Sequence, residues 1–280
     1  LSGEELQRAA DEFLWFHSID LGDGVITKGA SQPQITDDHF PPMAGRSVLD
    51  IGAWDGYYSF MAERNGADRV VALDHYAWGV DIGARGAYWT ECAANNTLPD
   101  QGRDLTDFWR PELPGKRGFD FAAWALDSKV ESRVADFATT DIEELGVFDN
   151  VLYLGVLYHM KEPLACLERV RSVTGQVAVI ETQAVHIHLL DNESLLQFYA
   201  GGELNVDYGN WFVPTIGGLH ALCRAAGFSS SVTIQGPPPP PAPEPESRRT
   251  RLGRRLGGIP RADHLSAPSC FYRAIVHAFV

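Results

Sequence analysis

Polar and apolar residues along this chain alternate in two rhythms. Short strand-like runs recur at 47–52, 69–74, 131–136, 147–154 and 176–181, and helical spacing fills about 57–65, 163–171 and 215–226. The last of these helices is bounded by Pro214 and by Gly227 at the expected C-terminal position. Strands that alternate with helices predict a doubly wound, mostly parallel α/β sheet. Two more strands are expected at 231–235 and 270–279, and the Pro-rich connection between them leaves no room for an ordinary crossover helix. The seventh and last strand is therefore expected to run antiparallel. Ahead of the sheet, Ser2 and Glu5 have capping-box spacing, and Leu6, Ala10, Phe13, Leu14 and His17 recur at helical intervals. That pattern predicts one amphipathic helix over 2–17, broken by Gly22-Asp-Gly24.

The division expected is an N-terminal helix and lid segment, 1–45, followed by a domain over 46–280 with two insertions. Residues 75–130 stand where a single helix would suffice and are rich in aromatics, among them Tyr76, Trp78, Trp89 and Trp109. Residues 236–268 open on Pro237–Pro241 and carry five arginines between Arg248 and Arg255, which reads as an extended loop. Apolar residues make up 45% and charged residues 21% of the chain, as in ordinary globular proteins. No apolar run reaches the roughly 20 residues of a membrane span, so no membrane is expected. Four scattered cysteines without a C-x-x-C pair fit a cytoplasmic protein better than a disulfide frame or a zinc site. The net charge of −14 argues against an extensive nucleic-acid surface. A homodimer stays open.

Chemistry concentrates at the strand ends. Ser47-Val-Leu-Asp-Ile-Gly-Ala-Trp-Asp-Gly56 is a strand that runs into a glycine-bearing turn, and the next strand ends on Asp74. Glycines let a backbone approach a ligand closely, and an acid at the second strand end accepts hydrogen bonds from ribose hydroxyls. A nucleoside is therefore expected, although Gly52-x-x-x-Gly56 does not have dinucleotide spacing. Asp136-Phe137, after the third strand, has the acid-plus-apolar pattern that reads an adenine. Asp74 and Asp136 are also placed to cap the helices that follow. At the fourth strand end stand Leu154, Gly155, Tyr158 and His159. His159 suits a general base, since imidazole titrates near neutral pH, and equally suits a hydrogen-bonded loop support. Tyr158 suits positioning of a substrate or of the cofactor carboxylate. Glu181, His186 and His188 are within possible reach of an acceptor. Asn210 and Trp211 either close over substrate or pack the next helix. No metal is expected, because His186, Asp191 and Glu193 have no known metal-site spacing.

Asp50-x-Gly52 followed by Asp74 resembles motifs I and II of class I S-adenosylmethionine (SAM) methyltransferases. Trp15-Phe-His17, Asp50 to Phe60, Gly155-Val-Leu-Tyr-His159 and Asn210-Trp-Phe-Val-Pro214 together resemble the methyltransferases related to the tRNA wobble-uridine (mo5U34/cmo5U34) enzymes. The resemblance implies a Rossmann-like fold with helical lid insertions and SAM as cofactor. It implies a cofactor site from Asp50, Gly52, Ala53, Trp54, Gly56, Asp74, His75, Asp136, Phe137 and Leu154, with Trp15 from the lid. Catalysis then falls to His159 and Tyr158, and acceptor binding to His17, Glu181, Asn210 and Trp211. In the wobble-uridine carboxymethyltransferases a tyrosine and an arginine matching Tyr158 and Arg273, with an upstream lysine, hold a carboxylated SAM. No lysine stands in register here, which favours plain SAM. The expected reaction is O-methylation of a small acceptor, a sugar or another natural-product hydroxyl. The alternative is a tRNA U34 methyl- or carboxymethyltransferase, and a non-catalytic SAM-binding protein is a further rival.

Overall fold

A computed structural model describes residues 2–31, 35–187, 189–238 and 270–280. Seven strands form the central sheet: β3 (Ser47–Ile51), β4 (Arg69–Asp74), β5 (Glu131–Val134), β6 (Phe148–Leu154), β7 (Thr174–His186), β10 (Ser230–Gln235) and β11 (Cys270–Phe279). Their order across the sheet is β10-β11-β7-β6-β3-β4-β5. β11 is antiparallel to both neighbours, β10 and β7, and the other pairings are parallel. This is the predicted doubly wound sheet with its reversed last strand. The order turns around between β3 and β6, and ligands of open α/β sheets bind outside the carboxyl ends of strands at such a point.

Strand side chains alternate between two buried layers, as pleating requires. Leu49, Ile51, Val151 and Tyr153 join one layer, closed by α7 (Pro163–Val173) and α8 (Ile216–Ala225). Val48, Val70, Leu152 and Val179 join the other, closed by Met61 and Ala62 of α2 (Tyr57–Arg64). Burial on both faces is why these strands read as near-continuous apolar runs.

The N-terminal segment departs from expectation. The capping box forms, but α1 ends at Ala10 (Gly3–Ala10), and Trp15–His17 is a short strand, β1, parallel to β2 (Gly29–Ser31). The amides of Phe16 and His17 donate to the carboxylate of Asp55 instead of to helical carbonyls. Leu14, placed by periodicity on the apolar helix face, is 91% exposed.

The 75–130 insertion is built from α3 (Tyr76–Gly79), α4 (Ile82–Ala94), α5 (Gln101–Thr106) and α6 (Pro114–Ala125). It packs at backbone contact. A Cβ on Gly115 would lie 1.9 Å from the Ala77 carbonyl oxygen, and one on Gly79 would lie 2.4 Å from the Trp109 ring. The antiparallel pair β8 (Leu196–Phe198) and β9 (Phe212–Pro214) stands before α8. The Pro/Arg-rich run of the 236–268 insertion lies outside the described residues, as does His188. No helix among the described residues is long and apolar enough to cross a membrane.

Gly115→Ala should lower stability by about 1–3 kcal/mol through overpacking. Gly86→Ala, inside α4 with open space around its Cβ position, should raise it by about 0.5–1 kcal/mol through helix propensity. Thermal unfolding of the two variants beside wild type checks both.

Candidate functional site

The turn after β3 is held open by backbone geometry. Gly52, Trp54 and Gly56 have φ of +80°, +47° and +86°, and the amides of Gly52 and Ala53 both donate to the Leu73 carbonyl, at 2.8 and 3.3 Å. The two glycines are bare for different reasons. A Cβ on Gly52 would meet Val156 at 2.6 Å, beside the β6 exit, whereas one on Gly56 would strike Phe60 and Phe119, so Gly56 serves packing against α6.

Three carboxylates are buried around this turn, and each has its own compensation. Asp50 accepts the Ser59 hydroxyl at 2.6 Å. Asp74 accepts the amides of Trp54 and Ala77, both at 2.9 Å, and so caps α3, one of the two roles its position allowed. Asp55 accepts the amides of Phe16 (3.0 Å) and His17 (2.6 Å) and faces His17 Nδ1 at 2.7 Å. Burial pushes Asp50 and Asp74 up to about 6: the Ser59 hydroxyl opposes the shift at Asp50, and backbone amides oppose it at Asp74. Asp55 was not singled out from the sequence. Its signal is an acid inside a turn otherwise made of small and aromatic residues.

The β6 exit carries the second cluster. Gly155, with φ +72°, presents its bare side to Arg273, Tyr158 and Glu181, the nearest atoms lying 3.4–3.9 Å from a Cβ there. Arg273 grips buried Glu181 through both Nε and an Nη, the latter at 2.5 Å, and its other Nη donates to the Tyr158 hydroxyl at 3.2 Å. The Tyr158 ring lies 4.2 Å from that of His159. His159 Nδ1 is 3.0 Å from the Gly209 carbonyl. A carbonyl only accepts, so Nδ1 carries the proton and Nε2 the lone pair. Burial lowers the His159 pKa, which favours the neutral ring.

Other expected site residues occupy more structural places. Trp15 is buried, with its indole N–H donating to the Ala10 carbonyl at 2.8 Å. Ala53 packs in the same core cluster as Trp15, and Leu154 packs against the cluster of Val48 and Leu152. Trp54 stacks on Phe16 at 4.2 Å and 13°. His75 lies against Trp109 of the insertion, rings 4.2 Å apart. Asp136 caps its own turn through the Ala138 amide at 2.9 Å. Phe137 is a core residue between Tyr153 and Arg169. Asn210 is buried and donates to the Leu204 carbonyl at 2.9 Å. The Trp211 amide donates to the Tyr158 carbonyl at 2.8 Å, and its ring lies under Lys161. His186 Nδ1 and Asp191 are 2.6 Å apart, but no three candidate metal ligands converge among the described residues. Open depressions at Ser2–Val25 and Asp37–Asn65 do not touch the strand ends, where the polar chemistry lies.

The residues present fit a cationic nucleoside cofactor. The turn is bare at Gly52, buried carboxylates surround it, and Gly155 opens toward a paired cation, anion and phenol.

Comparison with known proteins agrees with this geometry. No family model matches the chain. Among curated proteins it is similar to the tRNA U34 carboxymethyltransferase of Alteromonas mediterranea, 23% identical over 194 residues, covering 69% of this chain and 47% of that protein. It is similar to that of Pseudomonas syringae pv. tomato, 29% identical over 194 residues, covering 67% and 46%. The chain thus spans about half the length of the curated relatives it matches. Among solved structures, the N-terminal domain of EvdMO1 with SAH bound aligns with a TM-score of 0.58 at 19% identity, covering 100% of this chain and 98% of that one. EvdMO1 itself aligns at 0.54 and 19%, covering 99% and 47%. The chain has the Rossmann-like fold of class I SAM methyltransferases and is related to the tRNA U34 enzymes.

Proposed function

We propose that this protein is a SAM-dependent methyltransferase that methylates a hydroxyl of a small molecule, a sugar or another natural-product intermediate. The observation that carries the reading is the half-buried His159, its Nδ1 held by the Gly209 carbonyl, beside the Tyr158–Arg273–Glu181 cluster at the β6 exit. When bound, the cofactor supplies an electrophilic sulfonium methyl and leaves as a neutral thioether. The protein's part is positioning and proton removal. The turn at Gly52–Gly56 and Asp74 hold the nucleoside and amino-acid parts. His159 Nε2 takes the acceptor hydroxyl proton, and the Gly209 carbonyl keeps the ring in the tautomer that leaves Nε2 free to do so. Tyr158 and Arg273 orient the reacting groups.

The acceptor side is formed by the insertion and by the 207–211 turn. Trp89 of α4 packs on Tyr208 with ring centroids 5.8 Å apart, and both Trp89 and His159 come within 3.6 Å of a Cβ placed on Gly209. Such an aromatic enclosure excludes water and suits a small acceptor better than a nucleic acid. The net charge of −14 supports the same choice. The EvdMO1 domain was also crystallised in the presence of SAH and D-fucose, which favours a sugar. Glu181 already pairs Arg273, which supports plain SAM over a carboxylated cofactor. The similarity to U34 carboxymethyltransferases keeps tRNA modification as the second reading. Mass spectrometry of the co-purifying ligand, then SAM-driven methyl transfer to free sugars, sugar nucleotides and bulk tRNA, separates the two.

His159→Phe should cut methyl transfer by about 10²–10⁴-fold while leaving SAH affinity within about threefold. Turnover assays and calorimetric titration of one preparation check both halves. A pH effect follows from Asp50 and Asp74. Raised in the folded chain to about 6, they favour the ligand-free fold when protonated, and this contribution is lost as pH rises from about 4 through about 6. A bound cation favours their ionised forms, so SAM affinity should rise as pH increases through about 6 and level off above about 7. Titration calorimetry from pH 5 to 7.5, with proton release followed across buffers, checks the sign.

A further inference from the structure

The strap Trp15–His17 is hydrogen-bonded to the turn after β3 through the Asp55 side chain. Asp55 is 2% exposed and lies within the turn, and it receives the Phe16 amide, the His17 amide and His17 Nδ1. Beside this clamp Phe16 stacks on Trp54, so the strap lies across the turn. A carboxylate partner requires His17 Nδ1 to carry the proton, and in the neutral ring that leaves Nε2 as an acceptor. The imidazole is 12% exposed and packed against Tyr57 and Tyr58, ring centroids 5.2 and 5.3 Å away. Among the described residues Nε2 receives no hydrogen bond. Nε2 is not sealed from solvent, and an acceptor left open beside a turn suited to a cationic cofactor is available to a donor on the ligand.

We infer that Asp55 and His17 form the strap-borne half of the cofactor site, Asp55 as a positioning residue that fixes the strap and the His17 tautomer, His17 as an acceptor for the ammonium of the cofactor's amino-acid end. The inference rests on the SAM-binding reading. It accounts for an acid inside the turn and for a histidine directed by a residue on a different element. It also assigns His17 to the cofactor, whereas the sequence pattern placed it with the acceptor.

The test is calorimetric titration with two probes, SAH, which carries the amino-acid end, and 5′-methylthioadenosine, which lacks it. His17→Gln keeps an acceptor near the Nε2 position, and His17→Phe keeps the packing without one. SAH affinity should fall about tenfold in His17→Phe, a loss of one hydrogen bond to a charged group, and should be largely restored in His17→Gln. Affinity for 5′-methylthioadenosine should be unchanged in both. In Asp55→Ala, SAH should weaken at least as much, and the Phe16 and His17 amides should lose hydrogen-exchange protection. Equal SAH affinity in the phenylalanine and glutamine variants, or equal weakening of both probes, overturns the assignment of His17. Retained amide protection with unchanged SAH affinity in Asp55→Ala overturns that of Asp55. If wild type binds neither probe, the SAM-binding reading itself fails, which is a separate outcome.

Discussion

A buried carboxylate is tolerated only where hydrogen bonds replace its lost water, and that constraint organises this molecule. Asp50, Asp55 and Asp74 are all buried around one turn, and each is satisfied from a different part of the chain. Asp50 uses Ser59 at the start of α2, which fixes the register of that helix on β3. Asp74 uses the amides of Trp54 and Ala77, which join the turn to the beginning of the insertion. Asp55 uses Phe16 and His17, which draws in the N-terminal strap. The three acids therefore gather the strap, the sheet edge and the insertion at one point, and they leave it electrostatically suited to a cation.

The same constraint separates what was legible in the sequence from what was not. The sheet was legible because its signal is local. Strands buried on both faces read as apolar runs, and Pro214 and Gly227 mark the ends of α8. The reversal of β11 followed from the Pro-rich connection. The strap was not legible, since Leu6, Ala10, Phe13 and His17 do keep helical spacing. What holds 16–17 out of a helix is Asp55, almost forty residues away, which offers the amides of Phe16 and His17 a stronger acceptor than a helical carbonyl. Local periodicity contains no record of that competition. At Asp136-Phe137 the chain likewise leaves the ring's direction unstated. The pair has the composition of an adenine reader, but the Phe137 ring is drawn into the core between Tyr153 and Arg169. The identity of a residue does not say which side of the chain its ring will take.

At the β6 exit, legibility was greater because one short stretch carries the chemistry. Gly155, Tyr158 and His159 lie within five residues, and the partners that define their state come from far along the chain: Arg273 on β11, Glu181 on β7, Gly209 in a turn. The antiparallel β11 matters here. Its register sets Arg273 opposite Gln183, close enough to reach Glu181 two residues away on the neighbouring strand. A parallel last strand would need a crossover before it could bring an arginine to this end of the sheet. The reversed strand is thus a means of delivering a cation to the carboxyl ends of the parallel ones.

On the proposed function, the donor and acceptor halves of the site rest on different parts of the fold. Strand ends and the Asp55 clamp make the donor half, and these belong to the sheet, where a one-residue slip would turn every side chain to the wrong face. The acceptor half is made by α4 and the 207–211 turn, which meet the sheet through Trp89, Gly209 and His159. Gly79 and Gly115 let the helices of the insertion pack on one another at backbone contact. Its aromatic Trp78 donates to the Trp54 carbonyl at 2.6 Å, so the insertion is also tied to the turn. The two halves touch at adjacent residues, Tyr158 on the Arg273 side and His159 on the Gly209 side. A proton acceptor placed at that seam serves either half, which is why His159 rather than any residue deeper in one of them suits transfer between donor and acceptor.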